Sequence, residues 1–353
     1  MDKKESFYWD LVKGAAVLLM LWGHCIQYCA LDAVVYITDS AYQTIYAFHM
    51  PVFMLISGYL FYYSFRKRNM ADLIEHRIRG MLHPIVMATF LNNVLMLILS
   101  YALSGRGDFL FGSLFAGIAN DLWFLWAVLY CSVIVGVCCK LTEKLSLQLL
   151  LLVLGIFVIL LLPQWNMTLF MYPYFVAGFL CARYRQSAKR LYRVIRYAML
   201  VLFPVMMHFY QVKHFIYVTP IISEELALSE SLSIAGFRWA IGFAGSIWML
   251  TIMEFLLALG SRIAAVQKCL QGVSCLGRNS LQIYCLSAPM LSGYSPYLYR
   301  KFVDLIGYNV FAQNATVFSF LFTPILATAW SVILYGIVLL LRKFRLHGLI
   351  FGR

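Results

Sequence analysis

Apolar stretches of membrane-spanning length follow one another along almost all of this 353-residue chain. A helix needs about 20 mainly apolar residues to cross a bilayer. Such runs fall near 11–30, 42–64, 81–103, 121–139, 146–162, 167–182, 194–211, 239–259, 279–294 and 316–341. With 63% hydrophobic and only 12% charged residues, the chain lacks the polar surface of a soluble protein of its size. A 16% aromatic content with ordinary Gly and Pro excludes disorder, coiled coil and collagen. The expectation is an all-α, polytopic membrane protein of about ten transmembrane helices. With no repeat, Ser/Gly linker or compositional break, residues 1–353 read as a single integral domain.

The net charge of +13 would suggest nucleic-acid binding in a soluble chain, but here it follows from orientation. Cytoplasmic loops collect Lys and Arg. With the N-terminus inside and loops alternating, the inner side takes Lys3 and Lys4, the cluster from Arg66 to Arg79, Lys140 and Lys144, the cluster from Arg183 to Arg196, Arg262, Lys268 and Arg278, and the C-terminal cations. Only Arg106, Lys213, Arg238, Arg300 and Lys301 remain outside. One missed or invented helix would scramble this split, so ten spans with both termini cytoplasmic is the expected topology. The segments 65–80 and 183–193 read as basic interfacial loops, and 104–120, 212–238 and 295–315 as outer loops long enough to roof a pocket. The start, Asp2-Lys3-Lys4-Glu5, leads into an apolar run without a small-residue cleavage site, so the first helix is expected to stay as an anchor.

The nine cysteines show no metal-ligand spacing with His nearby and read as packing residues, only Cys275 being placed in a loop. Ionisable residues inside spans are costly and mark functional sites by default. They are Lys13, His24, His49, His208 and Glu254, with Asp10, His83 and Asp121 at helix ends. At 1.5 Å per residue His24 lies about 9 Å and His49 about 12 Å from the same face. A matched pair of imidazoles can serve as general base, nucleophile or proton carrier. Lys13 follows Asp10 by three residues and can simply snorkel beside it, or can contact an anion at the inner mouth. His24 follows Lys13 by eleven residues, close to three turns, so both project to one side of the first helix.

At this point the residues resemble a known family. Asp10-Leu-Val-Lys-Gly14 followed by Leu21-Trp-Gly-His24 is similar to the opening of the acyltransferase-3 family, whose first helix carries a basic residue, ten intervening positions and a histidine. The second helix, from Phe48-His49-Met50-Pro51 to Ser57-Gly58-Tyr59-Leu60, resembles the family's Pro-Phe-Ser-Gly-Tyr pattern. Leu122-Trp123-Phe124-Leu125, Pro173-Tyr174-Phe175-Val176-Ala177-Gly178 and the stretch from Leu276-Gly277-Arg278-Asn279 to Tyr284 match later positions, so the resemblance spans roughly residues 7–290. Two departures stand out: Arg77-Ile-Arg79-Gly80 where the family has an Arg-x-x-Arg-like pair, and Ser287 where many members carry a histidine.

The resemblance implies a multi-pass enzyme of a bacterial inner (plasma) membrane that O-acylates sugars of cell-surface polysaccharide or glycolipid. It implies a ten-helix bundle with both termini inside. It implies cytoplasmic acyl-CoA, with acetyl-CoA the expected donor, and no metal. Arg77, Arg79 and Lys13 would hold the donor's phosphates, and His24 would act as catalytic base or acyl relay. His49 would orient His24 or share its proton. Asp121, Trp123 and Tyr174 would line the sugar acceptor's cleft, with Asp10 beside Lys13 counted among the substrate-binding residues. Ser57 and Gly58 fit a close helix contact. The partners expected are acyl-CoA, a sugar or polysaccharide acceptor and the lipid bilayer, with no nucleic acid. The Leu-rich face at 147–162 can pack against lipid or a second copy in a homo-oligomer. The competing class is a proton-coupled transporter or flippase of a lipid-linked sugar. It is disfavoured because Pro51 and Gly58 in the second helix find no counterpart around Pro204 in the seventh. A sensor or scaffold without chemistry would leave the paired histidines unexplained.

Overall fold

The structure, a computed structural model, describes residues 3–30, 36–104, 117–118, 120–307 and 314–352. Asp2, Asp32, Arg106, Asp108 and Arg353, with most of the 104–120 loop, lie outside the described residues. In order come α1 (Lys3–Cys29), α2 (Ser40–Lys67), α3 (Met70–Ser104), α4 (Trp123–Leu141), α5 (Leu145–Ile159) and α6 (Trp165–Arg183). They are followed by α7 (Arg185–His208), α8 (Leu228–Gly260), α9 (Ala264–Arg278), α10 (Ser280–Pro289), α11 (Ser295–Ile306), α12 (Thr323–Lys343) and α13 (His347–Phe351). No strand occurs among the described residues. Among the described residues, seven helical stretches are long and apolar enough to cross a membrane: 3–29, 40–67, 70–102, 123–141, 185–208, 228–260 and 315–343. The other three apolar runs also fall on helix, but the fifth is only the 15 residues of α5.

Several stretches expected to be loops are helical, including 228–238 at the start of α8 and 295–306, which forms α11. Segment 65–80 shrinks to Arg68 and Asn69, because α2 runs on to Lys67 and α3 begins at Met70, which places Arg77 and Arg79 inside α3. Between α6 and α7 only Tyr184 intervenes, so the basic cluster after Arg183 is the first half of a helix. Residues 264–278 form α9, and Cys275 lies on it. In the ninth run the helix continues through Pro289 and Gly293. A π-helical turn over Met290–Tyr294 carries α10 into α11, and a second, over Phe318–Phe322, leads into α12. Such turns absorb an extra residue without ending the helix.

The chain divides into two compact units, one of residues 1–46, 86–121 and 252–353, the other of 47–85 and 122–251. In the first, α1 is packed against α9 and α12 and buries Leu11, Val12, Val17, Leu21, Cys25 and Ile26. Its crossing with α9 is a backbone contact. A methyl group on Gly14 would lie 1.9 Å from the Val273 carbonyl oxygen, and one on Gly277 would lie 1.7 Å from that of Asp10. Further along α1, the Trp22 indole donates to the Ser319 carbonyl (2.8 Å) and to Thr323 Oγ1 (3.0 Å) within the π turn and α12.

In the second unit α2 and α6 cross in the same way. Methyl groups on Gly58 and Gly178 would come within 2.0 Å of the Phe175 carbonyl oxygen and 1.9 Å of that of Leu55. Gly58 thus makes the close contact its sequence suggested, and Ser57 bonds back to the Phe53 carbonyl one turn earlier at 2.8 Å. Around this crossing Phe61 packs on Phe175 and Phe179, and α4 lies against α5 and α6.

Candidate functional site

The last two turns of α1 and the first two of α2 build a polar cluster inside the first unit. Asp39 starts α2 as its cap: Oδ1 accepts from the Tyr42 amide (2.9 Å), while Oδ2 accepts from Ser319 Oγ (2.6 Å). That bond ties the beginning of α2 to the π turn that also holds Trp22. One turn into α2, Tyr42 and Tyr46 stack at 4.0 Å. Tyr46 fits against α1 because residue 23 is glycine, where a methyl group would stand 2.7 Å from the ring.

His24 is half-buried beside this ring. Its Nδ1 lies 3.2 Å from Gln27 Oε1 and 3.3 Å from the Tyr46 hydroxyl, which itself donates to Gln27 Oε1 at 3.3 Å. Tyr28 stacks on the imidazole, with ring centres 5.6 Å apart and planes 19° from parallel. Tyr28 is also within electrostatic reach of Tyr36 and Asp121. Asp121 accepts a hydrogen bond from Asn92, and desolvation raises its carboxyl above the ordinary value while that bond draws it back. Tyr28 thus stacks on His24 and also lies within electrostatic reach of Asp121.

Sequence reasoning missed Gln27, Tyr28, Tyr46 and Asn92. They are neutral, so a search for charge inside spans passes over them. The available signal was helical spacing from His24, at i+3 and i+4, and the glycine beside it.

At the other end of α1, Lys13 Nζ pairs with Asp10 Oδ1 at 2.9 Å. Because α1 is unbroken from Lys3 to Cys29, the eleven residues from Lys13 to His24 amount to about 16 Å along one stripe.

The remaining predicted residues belong to the second unit. His49 is buried, 2% exposed. Arg77 lies over the Phe61 ring at 4.7 Å. Arg79 has an 81% exposed side chain and pairs with Glu75 at 2.7 Å. Two residues apart on a helix, the arginines face different ways and do not form one clamp. Trp123 stands edge-on to Tyr217 at 6.4 Å. Tyr174 was expected in a cleft but is fully buried, its hydroxyl donating to the carbonyls of Arg238 and Trp239 at 3.2 Å each. It is a strut between α6 and α8, fitted against Gly242, where a methyl group would lie 2.2 Å from the hydroxyl.

Arg238, expected in an outer loop, lies inside α8 and is 2% exposed. Its guanidinium ties down the segment between α7 and α8. Nε donates to the His214 carbonyl (2.8 Å), and Nη2 to those of Thr219 (2.8 Å), Phe215 (3.4 Å) and Lys213 (3.5 Å). His214 Nδ1 accepts from the Gln211 amide at 2.8 Å. Burial, helped by the charges of Lys213 and Arg238, holds the His214 imidazole down at about 4. No group of three His, Cys, Asp or Glu side chains able to hold a metal occurs among the described residues.

Fold and site together define a multi-pass helical membrane protein with a histidine hydrogen-bonded to neutral side chains near the end of its first helix. The family model described as an acyltransferase domain matches residues 6–336, nearly the whole chain. The chain belongs to this acyltransferase-3 family. It is similar to nodulation protein NolL of Mesorhizobium japonicum, 28% identical over 129 residues, covering 36% of this chain and 34% of that protein. It is also similar to nodulation protein NolL of Sinorhizobium fredii, 31% identical over 121 residues, 34% of this chain and 33% of that protein. The matched part thus spans about a third of the length of these curated relatives. No solved structure matches the chain.

Proposed function

We propose that the protein moves an acyl group, acetyl first among them, from cytoplasmic acyl-CoA to a sugar hydroxyl of a cell-surface polysaccharide or glycolipid. The observation that carries this reading is the His24 cluster: an imidazole fixed at one nitrogen by Gln27 and Tyr46, with Tyr28 stacked on its face, on the helix that bears the Lys13 to His24 spacing. His24 takes the proton of the acceptor hydroxyl. The hydroxyl oxygen forms a bond to the thioester carbonyl carbon, the carbon–sulfur bond breaks, and the proton passes to the departing CoA sulfur, leaving an ester and free CoA. Asp121 and Tyr28 offer acceptor and donor groups to the sugar's other hydroxyls.

The cations on hand fit a phosphate-bearing donor in part. Lys13 lies on the His24 stripe and is neutralised by Asp10 until an anion displaces it. Arg79 offers an exposed guanidinium, whereas Arg77 is turned onto Phe61. In this reading the chain is one integral domain of a bacterial inner membrane with both termini in the cytoplasm. General-base catalysis is worth about 10²–10⁴-fold, so His24→Ala is expected to lose at least about 100-fold in acetyl-CoA-dependent CoA release and acceptor labelling, in protein that unfolds at the wild-type temperature. Undiminished turnover in the folded variant would overturn the assignment.

A further inference from the structure

The geometry points to Gln27 and Tyr46 as positioning residues that lock His24 in the tautomer protonated on Nδ1, so that Nε2 is the basic nitrogen. This rests on the reading of His24 as the base and adds which nitrogen acts and what holds it.

The three polar groups form a closed triangle. Gln27 Oε1 is an acceptor only, and it faces both His24 Nδ1 (3.2 Å) and the Tyr46 hydroxyl (3.3 Å). A carbonyl oxygen opposite a bare imidazole nitrogen would set lone pair against lone pair. The contact is attractive only when Nδ1 carries hydrogen. The hydroxyl hydrogen of Tyr46 also goes to Oε1, which leaves the Tyr46 oxygen to face Nδ1–H at 3.3 Å as a second acceptor. With Nδ1 protonated, the lone pair of the neutral ring belongs to Nε2, for which no hydrogen-bond partner occurs among the described residues.

The same two oxygens suit the ring after it has taken a proton at Nε2, since Nδ1–H then donates more strongly to both. The ring therefore has no need to turn during turnover. Each member of the triangle is itself held. Gln27 rides one turn above His24 on α1. Tyr46 is stacked on Tyr42, and Tyr42 donates its amide to the capping Asp39. Tyr28 on the imidazole face resists rotation of the ring. The partner that fixes which nitrogen of a histidine is protonated also fixes the direction in which its lone pair points.

The test reads the tautomer directly. The full-length protein, purified in nanodiscs with ¹⁵N-labelled histidine, is examined by NMR at alkaline pH, where its imidazoles are neutral. Of the seven histidine signals, that of His24 is identified by its loss in His24→Ala. The expected wild-type signature is a protonated Nδ1 and an unprotonated Nε2. In Gln27→Leu this signature collapses into a tautomer mixture, and turnover falls about 10–100-fold with KM unchanged, the usual range for a lost orienting partner. Gln27→Glu keeps the oxygen and restores the wild-type signature. Tyr46→Phe keeps it too and loses about fivefold in turnover, the worth of one ordinary hydrogen bond. A wild-type His24 protonated on Nε2, or a Gln27→Leu protein with unaltered signature and turnover, would overturn the inference. Absence of CoA release from the wild-type protein would instead overturn the acyltransfer reading at His24, and the NMR signature would still decide the tautomer.

Discussion

The end of α1 and the knot around Arg238 are each built on an ionisable side chain in a helix of the membrane type, and they use it in opposite ways. At Arg238 the guanidinium hydrogen bonds run to backbone carbonyls of residues 213–219, which gives an irregular segment partners it would otherwise lack. At His24 one ring nitrogen is held by neutral side chains, and the other carries no bond among the described residues. The first arrangement directs Nε and Nη2 to backbone carbonyls, and the second leaves Nε2 of the imidazole open. Cost alone does not separate a site from a support; the destination of the hydrogen bonds does.

That contrast is exposed by pairing His24→Ala with Arg238→Ala. The first removes turnover and leaves the fold. The second leaves several buried carbonyls without donors and is expected to cost about 3 kcal/mol, seen as a lower unfolding temperature in detergent, with residual activity following the folded fraction. Arg238→Ala protein that is as stable as wild type but inactive would move Arg238 to the catalytic side of the comparison.

Gly23→Ala probes the cluster without touching a polar group. Its methyl group would displace the Tyr46 ring, so turnover is expected to fall about tenfold through loss of the Tyr46 and Gln27 geometry, for a destabilisation of roughly 1–3 kcal/mol. Unchanged turnover would show that Tyr46 can move without consequence.

Acidification probes the knot. The folded pKa of His214, about 4, lies below the ordinary 6.5, so between these values the unfolded segment binds the proton that the folded one does not. The stability this contributes is present above about 6.5 and is lost as pH falls towards 4. Proteolysis or hydrogen exchange in 209–227 should therefore rise across that window, and His214→Gln should flatten the rise.

The smallest effect is expected at Arg79. Its exposed pair with Glu75 is worth at most about 1 kcal/mol, so Arg79→Ala should leave stability unchanged. A rise in the KM for acetyl-CoA would mark it as a donor contact, and an unchanged KM would assign it to the surface.

Much of this was legible in the sequence because apolar runs are long-range, redundant signals. Each of the ten runs falls on helix, although among the described residues seven are long and apolar enough to count as spans. Helix α9 reads as loop in the sequence because 264–278 is amphipathic and Lys268 and Arg278 enter the charge count as loop cations. Arg77 and Arg79 were assigned to a loop for the same reason: charge at a membrane edge does not tell a connector from the end of a long helix. At the site, His24 and Lys13 were visible by charge and spacing, whereas Gln27 and Tyr46 act through distance alone. Tyr174 is the reverse case. An aromatic with a hydroxyl reads as a sugar platform until its hydroxyl is found bonded to backbone.

The touching backbones at Gly14 and Gly277 have a consequence for the proposed site ten residues away. Where two main chains meet without side chains between them, neither helix can slide past the other unless they first separate, so the contact works as a fixed datum along α1. The height and bearing of His24 are then set by counting from that datum along an uninterrupted helix. A single residue inserted between positions 14 and 24 would swing the imidazole through about 100° and lift it about 1.5 Å. In this stretch the number of residues is as strict a requirement as their identity.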